Sequence, residues 1–152
     1  CIQNMLISNK PENDGILTVF QKIPSDLTDK AETLLKFVGL HQKRKLRAGD
    51  LSFGQQKLLE LAMALMNEPK MLLLDEPTAG INPTLINGII DRLITVNKDY
   101  GITLLVIEHN MKVIMNLAQR VFCLAHGQML ANGTPDEIKN DKRVLDAYLG
   151  AQ

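Results

Sequence analysis

The chain has 152 residues, 45% of them hydrophobic, enough apolar content for one ordinary domain with a real core. Lys plus Arg and Asp plus Glu number 17 each, so no net field draws it toward nucleic acid or an anionic membrane. No apolar run nears the ~18 residues that span a bilayer, no signal peptide opens the sequence, and Cys1 and Cys123 form no pattern. A reduced, cytoplasmic setting is expected, with any membrane association peripheral.

Residues 1–27 carry little pattern, and Pro11, Gly15 and Pro24 interrupt any long element. From residue 29 the signals sharpen. Ala31, Leu34, Leu35 and Val38 recur at i, i+3, i+4 and i+7 and predict a helix ending near Gly39. The run HQKRKLR at 41–47 places Lys43, Arg44, Lys45 and Arg47 together without interleaved aromatics, and reads as a solvated loop rather than a nucleic-acid patch. Ser52 and Gln55 make an S-x-x-Q capping box that opens a helix with Leu58, Leu61, Ala62 and Leu65 as its core face.

KMLLLD at 70–75 is too short for a helix and apolar throughout, which predicts a buried strand. Asn82 and Pro83 read as the N-cap and first position of a helix that continues through Ile86, Ile89, Ile90 and Leu93. ITLLVI at 102–107 is a second buried strand, followed by a helix carrying Val113, Ile114 and Leu117. VFCLA and QMLA flank His126-Gly127 as a hairpin, with Cys123 a small buried hydrophobe. Thr134-Pro135-Asp136-Glu137 is another capping box, starting a helical tail. His41 and His126 lack ligand partners at useful spacing, and the seven methionines are scattered and expected mostly in the core.

Strands alternating with helices of this length indicate an α/β fold, a parallel sheet covered by helices on both faces. Reactive residues in such sheets gather at the carboxyl ends of strands, where Asp75-Glu76 and Glu108-His109 lie. An Asp after four apolar residues is a Walker B arrangement: a rigid, dry strand presents a carboxylate to Mg²⁺ on nucleotide phosphates. A second carboxylate beside it, Glu76, can polarise the attacking water. At LSFGQQ (51–56), Ser52 and Gly54 open a helix whose unpaired N–H groups and positive dipole end suit a phosphate, and Gly54 permits close backbone approach. Each motif alone has a plainer reading, as solvated acids or an ordinary cap.

Together the motifs resemble those of the ATP-binding cassette (ABC) ATPases. LSFGQQ looks like the signature motif, MLLLDE like Walker B, AGIN (79–82) like the D-loop, and His109 in VIEHN like the switch histidine, in the family's order and over about residues 30–150. LSFGQQKLLELA, AGINP, IEHNMKVIM, ANGTPDEI and VLDAYLG are similar to the ATPase subunits of branched-chain amino acid importers. The resemblance implies that Asp75 coordinates Mg²⁺ through water, Glu76 is the general base and His109 contacts the γ-phosphate. It implies too that Ser52, Gly54 and Gln55 bind ATP held by a second ATPase subunit in a head-to-tail dimer, with Ala79, Gly80, Ile81 and Asn82 at the dimer interface. Integral membrane permease subunits at the cytoplasmic face of the plasma membrane would be the further partners. Asn82 stands where Asp is common, Phe53 where Gly is, and Met63 where Arg is, which leaves one expected ion pair open.

The P-loop G-x-x-x-x-G-K-[ST] is absent, since no Gly-Lys pair occurs in the sequence. Gln3 is not a convincing Q-loop glutamine. The expectation is a truncated subunit with a partial P-loop NTPase fold: residues 1–66 a remnant helical subdomain, 67–133 the C-terminal half of the ATPase core, and 134–152 a helical tail. ATP and Mg²⁺ are the implied cofactors, with little turnover by the chain alone and apolar strand faces exposed. A different class is also open, a non-catalytic module that donates its signature helix to a complete cassette. A DNA-repair or chromosome ATPase is disfavoured, because no coiled-coil heptads appear.

Overall fold

The computed structural model describes residues 1–9 and 24–148, so the expected breaks at Pro11 and Gly15 lie outside the described residues. The chain divides into two compact units, Cys1–Val106 and Ile107–Gln152. The first holds α1 (Ile2–Ser8), α2 (Ser25–Phe37), α3 (Phe53–Leu65), β1 (Met71–Asp75), α4 (Pro83–Lys98) and most of β2 (Thr103–Ile107). The second holds α5 (Met111–Leu117), β3 (Val121–Ala125), β4 (Gln128–Gly133), α6 (Pro135–Asn140) and α7 (Lys142–Tyr148).

In the first unit α1 packs on α2 and α3, and α2 packs on α3. The predicted stripe of α2 is buried at Ala31, Leu34 and Leu35, and Val38 just past its end is fully covered. Its stop is a Schellman turn: Leu40 N–H donates to the Leu35 carbonyl at 2.7 Å and Gly39 N–H to that of Lys36 at 3.0 Å. Gly39 supplies the left-handed residue this turn needs, at φ +78°. Arg92 of α4 finishes the end, donating through Nε to the Phe37 carbonyl at 3.2 Å. The helix α1 was not legible, because seven residues give too few turns for a period to show.

On α3 the core face is Leu59, Leu61, Ala62 and Leu65. Leu58, expected in that set, is only half-buried, for it looks into an open groove of about 240 Å³ whose walls include Leu61, Leu73 and Ile89. The helix α4 starts as expected. Asn82 Oδ1 accepts from Thr84 N–H at 3.0 Å, Pro83 takes the first turn, and Ile86, Ile89, Ile90 and Leu93 are buried.

β1 and β2 are hydrogen-bonded neighbours joined through α4. Thr103 N–H donates to the Lys70 carbonyl at 3.0 Å. A bond between the starts of both strands makes the pair parallel and sets Leu73 beside Leu105 by two-residue alternation. The reading of each strand as buried on both faces is corrected here, while the expectation of exposed apolar strand faces is met. Leu72 is buried, but Met71 is 47%, Leu73 73% and Leu105 49% exposed. One face of this pair is apolar and uncovered among the described residues.

The second unit is built on the predicted hairpin. β3 and β4 are antiparallel with Ala125 opposite Gln128, and the two turn residues, His126 at φ 51° and Gly127 at φ 76°, have the left-handed conformations of a type I′ turn. A bulge between Cys123 and Leu124 leaves Leu130 as the extra residue. Cys123, Ala131, Ile138 and Val144 form the core, with Cys123 the buried hydrophobe expected. The Thr134 capping box is present: Thr134 N–H donates to Glu137 Oε2 at 2.7 Å. The methionines divide evenly enough to correct the core expectation, Met5 and Met66 being buried while Met71, Met111 and Met129 are exposed.

Candidate functional site

Asp75 ends β1 and is exposed there. The next residue, Glu76, has φ 44°, a left-handed conformation that turns the chain sharply off the strand. Ala79 N–H closes that turn on the Glu76 carbonyl at 3.0 Å, and Ile81 N–H donates to the Thr78 carbonyl at 3.3 Å. Thr78 is buried, so the loop is anchored from below while Glu76 and Gly80 stay at the surface. Asn82 uses its amide oxygen to cap α4, accepting also from the Thr84 hydroxyl at 2.8 Å.

Ser52 caps α3 with extended backbone, and Gln55 completes the box by accepting from Ser52 N–H at 3.2 Å. That same Gln55 oxygen accepts from Lys43 Nζ at 3.0 Å, so it is engaged in holding the helix start. Lys43 and Arg44 are half-buried, and Arg44 and His41 both face Glu32, at 3.6 and 3.5 Å. Part of the basic run is therefore built into the fold, not simply solvated. Gln56, which carried no pattern, ties the preceding loop down by donating to the carbonyls of Ala48 at 3.2 Å and Leu51 at 3.3 Å.

Gly54 is buried, and a Cβ there would stand 3.2 Å from Leu85 Cδ1 and 3.6 Å from Ile81 Cγ2. The missing side chain makes room for Leu85 of α4 and for Ile81 of the 79–82 segment. On the neighbouring position, Phe53 lies against Gly80. The fold brings Ser52–Gly54 and Ala79–Ile81 together, and Asp75-Glu76 lies directly before that loop.

In the second unit, Glu108 and His109 follow β2 as expected. Asn110 N–H donates to Glu108 Oε2 at 3.4 Å, and Asn110 Oδ1 caps α5 by accepting from Lys112 N–H at 3.1 Å. His109 is exposed on that connection.

Among the described residues no group of three or more His, Cys, Asp or Glu side chains could hold a metal alone. Asp75 suits Mg²⁺ of the kind bound by one or two carboxylates plus phosphate oxygens. The open N–H groups at the start of α3 suit a phosphate.

A family model described as ABC transporter matches residues 3–79, half of the chain. The chain belongs to the ABC transporter family. A second model, described as branched-chain amino acid ATP-binding cassette transporter, matches residues 128–152 of this ABC chain. The high-affinity branched-chain amino acid transport ATP-binding protein LivG of Escherichia coli (strain K12) is 34% identical over 98% of the chain and 61% of its own length. A probable LivG of Methanocaldococcus jannaschii is 36% identical, with the same two coverages. Among solved structures, the ADP conformation of MJ1267, an ATP-binding cassette of an ABC transporter, aligns with a TM-score of 0.80 at 33% identity, over 98% of this chain and 62% of that one. The fold is thus part of the ABC ATPase fold, mixed α/β with a parallel strand pair, and the chain spans about three-fifths of these relatives' length.

Proposed function

We propose that this ABC chain is a portion of the ATP-binding subunit of a branched-chain amino acid transporter. The observation that carries the reading is the meeting of the capped start of α3 with the loop that follows the Asp75-Glu76 pair. The relatives' descriptions support the substrate class.

In this reading Asp75 would hold Mg²⁺, which would shield the phosphate charge. Glu76 accepts the proton of the attacking water, and His109 orients that water from the connection after β2. Ser52 offers its hydroxyl and Gly54 its backbone N–H to the γ-phosphate of ATP held by a second subunit, with Gln55 fixing the helix start that presents them. Residues 79–82 line the contact with that subunit. Residues 1–66 serve as helical subdomain, 67–133 as part of the ATPase core and 134–152 as tail, with permease subunits at the cytoplasmic membrane face as partners. No helix among the described residues is long and apolar enough to cross a membrane, which accords with a peripheral placement.

With no G-x-x-x-x-G-K-[ST] in the sequence, the chain lacks the lysine and backbone cradle that grip ATP in cis, and by itself it turns over little or none. Phosphate release from Mg-ATP, measured for the wild type and Glu76→Gln, tests this. The expected result is no turnover in either. Turnover by the wild type that vanishes in the variant would show that ATP is gripped without a P-loop. The absent motif also favours a second reading, a module that completes a full cassette's site. Adding an intact LivG-type subunit would then restore turnover sensitive to Ser52→Ala but indifferent to Glu76→Gln.

A further inference from the structure

Phe53 is a large aromatic side chain left 53% exposed at the first position of α3. Exposure of that kind has no role in burying a core, so its contacts decide what it does. A Cβ on Gly80 would stand 3.2 Å from Phe53 Cε1 and 3.7 Å from Cδ1, so the ring fills the space that a side chain on Gly80 would take. Gly80 itself is held at φ +68°, and the missing side chain is what allows the approach. One residue along, Gly54 is backed by Ile81 and Leu85. The first turn of α3 is therefore gripped at two successive positions by the residues after Glu76. One turn further along the helix, Lys57 Nζ lies 5.7 Å from the Phe53 ring centroid and supports the ring as a cation–π partner.

We propose that Phe53 is a positioning residue that couples the 79–82 loop to the phosphate-facing start of α3, so that displacement of Gly80 is transmitted to Ser52 and Gly54. The physical reason is stiffness: a planar ring has two rotatable bonds and cannot deform, so backbone pressed against its edge must carry the ring and the helix start with it. An aliphatic chain at the same position would absorb the displacement by changing rotamer. The proposal rests on the functional reading of these two segments, but the contact can be tested without nucleotide, so either can fail alone.

Gly80→Ala drives a methyl group toward the ring, and the amide resonances of Ser52–Gln55 in the full chain report whether the push arrives. The expected result is a clear shift of those amides when Phe53 is intact, one that falls roughly threefold when Phe53→Leu is added and returns with Phe53→Tyr. Equal shifts with and without Phe53→Leu would overturn the coupling, because the loop would then act through Ile81 or through backbone strain alone. Should Gly80→Ala unfold the chain, Phe53→Leu alone decides the matter by hydrogen exchange. Loop amides at Ala79–Ile81 exchanging roughly fivefold faster, with those of α4 unchanged, is the expected outcome. Unaltered loop exchange would equally overturn it.

Discussion

Glu76 shows how one backbone angle places a functional group. A residue with a side chain at φ 44° is disfavoured by contact between Cβ and the following carbonyl, at a cost of about 1–2 kcal/mol. The surrounding turn holds it there nonetheless, through the Ala79 amide and the buried Thr78. Strain of this sort persists where the side chain is needed. Comparing two truncations isolates it. Glu76→Ala and Glu76→Gly lose the same carboxylate, yet only the alanine variant keeps the clash, so Glu76→Gly unfolds at higher denaturant, by about 1 kcal/mol. Equal midpoints in urea would mean that the turn relaxes and stores no strain.

Residue-level reading of the sequence reached Asp75, Glu76, Ser52 and Asn82, because each sits in a short local pattern. It read Lys43 as part of a solvated loop and passed over Gln56. The carbonyls and the amide oxygen that Gln56 and Lys43 serve are 5 to 12 residues away, outside any regular period.

At the scale of elements, the starts of α3, α4 and α6 were legible in advance, since a cap is a bond between residues two or three apart. The box at α6 also has a pH signature. The backbone N–H of Thr134, and then its hydroxyl, hold the Glu137 carboxyl below the usual carboxylate range, with a small further contribution from Arg120. A carboxylate lowered in the folded state stabilises above the unfolded value, about 4.3, and loses that contribution as pH falls through the lowered folded value. The Thr134 amide proton should therefore move as its acceptor is protonated, with a midpoint below the ordinary glutamate value, while in Glu137→Gln it stays put. A midpoint at the ordinary glutamate value would show that the bond does not hold in solution. By contrast α1 left no trace in the sequence, and Leu59 replaced Leu58 on α3 because the groove beside β1 opens at Leu58. Helical period defines a stripe but not its edges.

For the molecule as a whole, the apolar strands carry the clearest consequence. Met71, Leu73 and Leu105 lie uncovered on one side of the parallel pair, and in the second unit Phe122, Leu124 and Met129 are exposed on one side of the hairpin. Contiguous exposed apolar surface drives association in water. Leu73→Lys should shift sedimentation toward monomer at tens of micromolar without lowering the thermal midpoint, since a side chain 73% exposed gives up little burial. Unchanged self-association would place the sticky surface elsewhere, and a large loss of stability would mean that Leu73 is packed in solution.

What the sequence by itself determined is everything carried by near neighbours: the caps at Ser52, Asn82 and Thr134, the His126-Gly127 turn, the stop at Gly39, and the order of motifs that marks an ABC cassette. These follow from hydrogen bonds and backbone preferences that reach only a few residues. Only the tertiary structure decided which side of each apolar strand is covered, that Arg92 finishes α2 across 55 residues, and that Phe53 meets Gly80. Hydrophobicity says that a side chain would gain from burial, but not which surface covers it, because that depends on packing between elements whose separation in the chain has no periodic signature.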